Sequence, residues 1–251
     1  MVHFVGAGSG AADLITLRGD RLLRRADAVI WAGSLVNPEL LEVCKEGCRI
    51  LDSSTMTLEG VLEAIEEAHA SGEDVVRLHT GDPSLYGALR EQMDALSERG
   101  IPFEVVPGVS SMGGAAASLE VEYTVPGVSQ SVVVTRLPGR TPAPEGERVR
   151  DLAAHGTTMV VFLSAGMLER LQDELLAAGR PAEEPAAIAY KATWPDEELW
   201  RCSVGTLAKT GEEHGVAKTA LVVVGRVLEA GGERSRLYDP AFATGLREGE
   251  A

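Results

Sequence analysis

Two hydrophobic periodicities alternate along the first half of the chain. Apolar runs at residues 2–6, 27–31, 49–51, 74–76 and 102–106 read as buried strands. Between them, residues 16–26, 58–70 and 85–93 carry apolar side chains at helical spacing, with Val61, Leu62, Ile65 and Ala68 on one face. Pro38 opens a shorter helix behind Asn37, a favoured capping pair. Strands joined by crossovers of helical length predict a parallel sheet with helices on both faces. A Gly- and Ala-rich helix at 113–119 closes this half, and beyond Glu120 the rhythm changes. Strands are expected at 131–135, 157–163, 186–190, 199–204 and 219–224, with helices at 145–154 and 167–178. The short connections around Trp200 and after His214 predict a partly antiparallel second sheet. The expected organisation is therefore two α/β domains, 1–119 and 120–251, without a flexible linker, and a polar tail from Arg234 that packs late or frays.

At 251 residues with 45% apolar side chains, the chain can bury a substantial core. No apolar run reaches the roughly 20 residues that span a bilayer, and the start runs straight into a strand without a basic region, so a cytoplasmic protein with no membrane partner is expected. The formal net charge of −15 argues against broad nucleic-acid binding, which needs a basic footprint. Cys44, Cys48 and Cys202 form no metal-ligand pattern, and His3, His69, His79, His155 and His214 are scattered, so no metal site is expected.

The chemistry-bearing stretch is 77–87, Arg-Leu-His-Thr-Gly-Asp-Pro-Ser-Leu-Tyr-Gly, which leaves a strand end. In open α/β sheets ligands bind beyond the carboxyl ends of the strands. Gly81 permits a backbone closed to other residues and Pro83 pushes Asp82 into an extended state. Alone this reads as an ordinary turn, with Asp82 as a helix cap. Two further small-residue strand ends give it company: Gly6-Ala7-Gly8-Ser9-Gly10 and Pro107-Gly108-Val109-Ser110-Ser111. The first matches a loose dinucleotide fingerprint. Residues 12–15 delay the helix that fingerprint needs, and the second strand ends in Trp31-Ala32-Gly33-Ser34 without an acid for a ribose, so a nicotinamide reading fails.

Together these stretches resemble the tetrapyrrole (corrin/porphyrin) methyltransferase family over nearly the whole chain. Residues 31–41, 135–142 and 190–197, the last reading Tyr-Lys-Ala-Thr-Trp-Pro-Asp-Glu, resemble the branch that methylates C-11 of precorrin-4 or cobalt-precorrin-4. The resemblance implies a class III S-adenosylmethionine (SAM) methyltransferase fold, two α/β domains with a cleft between them, an N-terminal parallel sheet and a C-terminal mixed one. It implies SAM as methyl donor, S-adenosylhomocysteine as product, a carboxylate-rich tetrapyrrole substrate and a homodimer. Donor-binding positions carried over are Ser9, Thr80, Gly81, Asp82, Leu85, Tyr86, Ser110, Ser111, Leu163, Ser164, Ala192, Thr219 and Ala220. The family's first loop reads Gly-x-Gly-Pro-Gly-Asp, so this chain departs from it at Ser9 and Ala11.

An acidic protein that receives several carboxylates needs a local basic surface. Arg77, His79, Arg136, Arg140 and Lys191 are the candidates, each also readable as a solvated surface charge. Ala32, Gly33 and Ser34 offer no match to the aspartate of the uroporphyrinogen branch, so no catalytic acid or base is carried over. Two other readings stay open: the same fold acting on ribosomal RNA or a modified protein histidine, and a tetrapyrrole- or nucleoside-binding module without turnover.

Overall fold

The computed structural model describes residues 1–139, 141–229 and 231–248, the side chain of residue 236 excepted. The chain divides into two compact units: Met1–Ala115 with Lys191–Glu197, and Ala116–Tyr190 with the residues from Glu198 on. Segment Lys191–Glu197, which its position in the sequence assigns to the second half, therefore clusters with the first unit.

The first unit holds strands β1 (Val2–Gly6), β2 (Ala28–Trp31), β3 (Arg49–Asp52), β4 (Val75–His79) and β5 (Phe103–Val106) in the order β3-β2-β4-β1-β5. Every neighbouring pair is parallel. Alternation along the strands sends Val2, Phe4, Ala28, Ile30 and Val75 to one face, against α2 (Leu58–Ala70) and α3 (Leu89–Glu98). Val5, Val29, Val76, Leu78 and Val106 go to the other, against Leu23 of α1 (Leu17–Arg25) and Leu40 of the 3-10 turn Pro38–Val43. Burial on both faces explains why these strands read as nearly continuous apolar runs. Asn37 caps its turn as expected, accepting from Glu39 N–H at 3.0 Å.

Two boundaries in this unit differ from expectation. β4 runs on to His79, pairing Arg77 with Phe4 and Ile30, so Arg77 and His79 are interior strand residues. The hydropathy pattern ends the strand at Val76 because it scores their polar ends and misses the neighbours that bury them. The helix expected from Leu85 starts at Leu89. Residues 83–86 form a turn instead, and Tyr86 (φ 57°) and Ala88 (φ 47°) lie in the left-handed region, which breaks the helical run.

The second unit holds β6 (Val132–Arg136), β7 (Thr158–Phe162), β8 (Pro185–Tyr190), β9 (Glu198–Ser203) and β10 (Ala220–Val224) in the order β6-β7-β10-β8-β9. β6 and β7 are parallel, whereas β10 runs antiparallel to β7 and β8, and β8 to β9. α4 (Ser111–Leu119) precedes this sheet, and α5 (Val149–Ala153), α6 (Leu168–Ala177) and α7 (Leu207–Glu213) accompany it. Met159, Val161, Ile188, Val222 and Val224 pack with Leu168, Leu171, Leu175 and Leu207 into its core. α7 has no counterpart in the hydropathy pattern: only Leu207 and Gly211 bury, too few to print a periodicity. Among the described residues no helix is long and apolar enough to cross a membrane.

Candidate functional site

In the first unit the chain leaves β1 for β2, across β4, and leaves β4 for β5, across β1. The two connections part in opposite directions, which makes the carboxyl ends of β1 and β4 the topological switch point where open sheets bind ligands. Here the two loops are joined by main chain: Gly81 N–H donates to Gly8 O at 2.9 Å and Gly8 N–H to Gly81 O at 3.3 Å. Gly81 turns with φ 61°, open to it without a Cβ. The β5 end closes in from the side. A Cβ on Gly6 would lie 2.5 Å from Gly108 Cα and 2.6 Å from Gly81 O, so the three strand ends meet through bare backbone.

Asp82 fastens this junction. One carboxylate oxygen accepts from Gly108 N–H at 2.9 Å, and the other from Ser84 N–H at 2.8 Å and from the Ser84 hydroxyl. Burial raises its pKa, but the Ser84 hydroxyl and the two N–H donors outweigh this and hold the carboxyl below its ordinary value. Ser110 accepts from Met112 N–H at 3.4 Å through its hydroxyl, and its carbonyl receives Gly113 N–H, so it opens α4; Ser111 follows, half-buried. Thr80 is exposed, Leu85 half-buried, and Tyr86 43% exposed.

The glycine loop after β1 is held by two further elements. Asn37 donates to Gly10 O at 3.0 Å from a buried position. On the other flank, Thr193 Oγ1 lies 3.0 Å from Ser9 Oγ and accepts from Ala11 N–H at 3.2 Å. Ser9 and Ala11 are the two positions at which this loop departs from the resembling family's pattern. Ala192 is buried, and a Cβ on Gly10 would collide with the Trp194 ring and come within 2.9 Å of Ala192 O. Thr193 has φ 69°, a conformation that costs a β-branched residue roughly 1–3 kcal/mol. Its N–H donates to Glu197 Oε2 at 2.5 Å.

In the second unit the candidates sit at strand ends. Leu163, directly after β7, has φ 51° and is 62% exposed; Thr219, directly before β10, has φ 55°. Ala220 begins β10, buried and paired with Tyr190. Ser164 is fully buried, its hydroxyl donating to Phe162 O at 2.8 Å and accepting from Leu137 N–H at 2.9 Å. That side chain braces the loop after β6, and the Ser164 carbonyl accepts from Met167 N–H at 2.9 Å.

The four basic candidates among the described residues are either buried or engaged by neighbouring groups. Arg77 is 9% exposed, donating through Nε to Gln92 Oε1 and through Nη1 to Ile30 O, each at 3.2 Å. Burial lowers its pKa to about 10, so it stays charged at neutral pH. His79 is 5% exposed, and burial followed by the neighbouring Arg77 charge lowers its pKa to about 3. It is neutral near pH 7 and carries no charge for a carboxylate, a correction to the expectation from sequence. Arg136 folds onto its own loop, donating to the carbonyls of Leu137, Thr141 and Pro142 at 3.2–3.4 Å. Lys191 pairs with Asp196 at 2.5 Å beside the Trp194 ring. Arg140 lies outside the described residues.

Thr193, and the reach of Asn37 to Gly10, are parts of the site that the sequence pattern does not single out. The signal available for Thr193 is its place between Ala192 and Trp194 in a turn-prone stretch; nothing in the sequence pairs it with Ser9. Among the described residues no group of three or more His, Cys, Asp or Glu is placed to hold a metal, and Cys44, Cys48 and Cys202 are free thiols. Burial pushes Cys44 and Cys202 up to about 11, far from a reactive thiolate.

A family model described as Tetrapyrrole (Corrin/Porphyrin) Methylases matches residues 1–208. The chain is 47% identical over 242 residues to a cobalt-precorrin-4 C(11)-methyltransferase of Methanocaldococcus jannaschii, covering 96% of this chain and 93% of that one. It is 47% identical over 233 residues to a precorrin-4 C(11)-methyltransferase of Rhodococcus erythropolis, covering 92% and 93%. Among solved structures, a cobalamin biosynthetic enzyme described as cobalt precorrin-4 methyltransferase matches with a TM-score of 0.89 at 41% identity, over 91% of this chain and 96% of that one. A uroporphyrin-III C-methyl transferase from Thermus thermophilus, complexed with S-adenyl homocysteine, matches with a TM-score of 0.77 at 29% identity, over 91% and 93%. With a switch-point junction of bare backbone in a parallel sheet, a mixed second sheet and a family match over most of its length, the chain belongs to the tetrapyrrole (corrin/porphyrin) methylase family.

Proposed function

We propose that this chain is a SAM-dependent methyltransferase that methylates C-11 of precorrin-4 or cobalt-precorrin-4 in cobalamin biosynthesis. The observation that carries the reading is near-full-length identity of 47% to relatives that bear those two names. A solved relative complexed with S-adenyl homocysteine supports the choice of donor. When bound, SAM supplies a methyl carbon already activated by its sulfonium, open to in-line attack by an electron-rich ring carbon. What remains for the protein is alignment and exclusion of water.

The residues of the first unit suit that donor. Gly6, Gly81 and Gly108 let three strand ends converge at the switch point, where a Cβ on either Gly6 or Gly108 would collide with neighbouring backbone. Thr80, Gly81, Asp82, Ser110 and Ser111 are read as holding its polar end, with Ser9, Leu85, Tyr86 and Ala192 beside them. Asp82 does so while keeping the β4 and β5 loops together, since the oxygen that accepts from Gly108 N–H has a second lone pair. For the second unit, Leu163, Thr219 and Ala220 are read as ligand-facing, with the buried Ser164 bracing the strand ends behind them. An exposed leucine held in the left-handed region supports this, because strain of that kind persists where a ligand site requires it.

Arg77 is read as the cation for a substrate carboxylate, because its guanidinium is charged and its partners are an amide and a carbonyl oxygen. Arg136 is read likewise, its partners being carbonyls. Lys191, already neutralised by Asp196, contributes less. Arg77→Met is expected to raise the tetrapyrrole KM by about tenfold or more while the S-adenosylhomocysteine Kd stays within about twofold. Lost S-adenosylhomocysteine affinity with turnover otherwise intact would reject that role.

The decisive assay incubates the purified protein with labelled SAM and trimethylated precorrin, with and without cobalt. Formation of S-adenosylhomocysteine with either substrate supports the reading, and the product's visible spectrum shows whether cobalt is required. A binding module would form none; turnover only on ribosomal RNA or a protein histidine would move the same fold to another substrate. We extend the reading to a cytoplasmic homodimer that binds no nucleic acid, supported by family resemblance and by the net charge of −15. Light scattering of the purified protein checks the dimer.

A further inference from the structure

Segment Lys191–Glu197 joins β8 to β9 in sequence but packs on the loop after β1. Its third residue is Thr193. Its hydroxyl meets Ser9 Oγ at 3.0 Å and Ala11 N–H at 3.2 Å, the two contacts lying on either side of Gly10. Its own N–H is held by the Glu197 carboxylate. Two of the seven residues, Lys191 and Thr193, lie in the left-handed region with φ 47° and 69°. Such conformations persist only where the surrounding structure enforces them. The Trp194 ring and the Ala192 carbonyl close over Gly10 from the same side.

We infer that Thr193 is a positioning residue for the methyl donor: its single hydroxyl sets the glycine loop after β1 and the Ala192 turn at a fixed separation. The inference rests on the reading of Ser9 and Ala192 as donor contacts. Thr193 itself acts through them. The hydroxyl has two partners: it accepts from Ala11 N–H, and it either accepts from the Ser9 hydroxyl or donates to it. Valine in place of Thr193 keeps the shape and removes every one of these bonds. Serine keeps the bonds and removes only a methyl group.

Three variants test this: Thr193→Val, Thr193→Ser and Ser9→Ala, with the Ser9→Ala/Thr193→Val double. Calorimetric titration with S-adenosylhomocysteine and steady-state kinetics in SAM are measured for each. Thr193→Val is expected to weaken S-adenosylhomocysteine about tenfold and to raise the SAM KM in proportion, with kcat within about twofold. Thr193→Ser should return to within about twofold of the parent, and the double variant should bind no more weakly than Thr193→Val alone, because both changes break one shared contact. Parent-like binding by Thr193→Val overturns the inference and leaves the donor reading standing. So does a fall in kcat at unchanged KM, or a serine variant as weak as the valine. Should Thr193→Val fail to fold, Ser9→Ala carries the test: it breaks the same contact from an unstrained residue, and parent-like affinity there overturns the inference equally. Absence of S-adenosylhomocysteine binding by the parent protein overturns the donor reading, and the inference with it.

Discussion

The strand ends of the two units are shaped by different means. After β1, β4 and β5 of the first unit stand small residues, and the backbone at Gly6, Gly81 and Gly108 approaches so closely that no side chain fits. At β7 and β10 of the second unit the corresponding places are taken by Leu163 and Thr219, full side chains in the left-handed region. The first device costs conformational entropy in the unfolded chain; the second stores strain in the folded one. The supports differ as well. Beneath the first unit's ends His79 is buried with an Nε2 that has no hydrogen-bond partner among the described residues, whereas beneath the second's Ser164 has both its donor and an acceptor satisfied.

The sharpest way to break the contrast is to add one methyl group to the glycine junction. A Cβ on Gly108 would overlap Gly81 O and lie 2.7 Å from Gly6 Cα, and backbone on both sides cannot swing away. Gly108→Ala is therefore expected to cost about 3 kcal/mol of stability, read from urea unfolding, and to abolish S-adenosylhomocysteine binding. An alanine variant as stable as the parent would show that the three ends are not locked together.

Acid should then separate the two supports. The His79 imidazole falls to about 3 in the folded chain and returns to about 6.5 on unfolding. The unfolded chain thus takes up a proton first as pH falls. The contribution is complete above pH 6.5 and is lost progressively towards pH 3, by about 2 kcal/mol between pH 6.5 and 5. Urea unfolding across that range should show the slope, and His79→Gln should flatten it. An unchanged slope in the variant would place the acid sensitivity elsewhere.

A smaller loss is expected at the fastener of the first junction. Asp82→Ala removes acceptors from Gly108 N–H, Ser84 N–H and the Ser84 hydroxyl, of which the first alone joins two strand ends. The expected cost is about 1.5 kcal/mol, with Asp82→Asn recovering part of it through the amide oxygen. Equal losses in both variants would mean that the charge, and no particular hydrogen bond, is what matters.

The same contrast explains what can be read from the sequence. Glycine announces a backbone requirement by its identity, so the ends at Gly8, Gly81 and Gly108 stand out as candidates in the sequence alone, as does the layered parallel sheet from its apolar runs. Leu163 and Thr219 look like any core residue at a strand boundary; only family resemblance marks them, and their strain shows only in φ. Arg77 and His79 are legible as chemistry but not as buried strand residues, because burial of a polar side chain depends on neighbours distant in sequence such as Ile30 and Phe4. The Thr193 contact spans 184 positions in the chain, a pairing no local pattern records.

Leu163→Gly probes the stored strain itself and is the smallest effect. Glycine relieves roughly 1 kcal/mol of left-handed strain in the folded state, while its greater freedom in the unfolded state costs a similar amount. The side chain it removes is mostly exposed, so little packing goes with it. Net stability should stay within about 1 kcal/mol of the parent. Leu163→Ala keeps the strain while shedding the same exposed side chain, and should come out slightly less stable than the glycine variant. Ligand affinity then decides what the strain is for. If the exposed leucine serves a ligand, both variants lose affinity to the same extent although their stabilities differ; if only the bent backbone matters, alanine retains affinity and the more flexible glycine loses it.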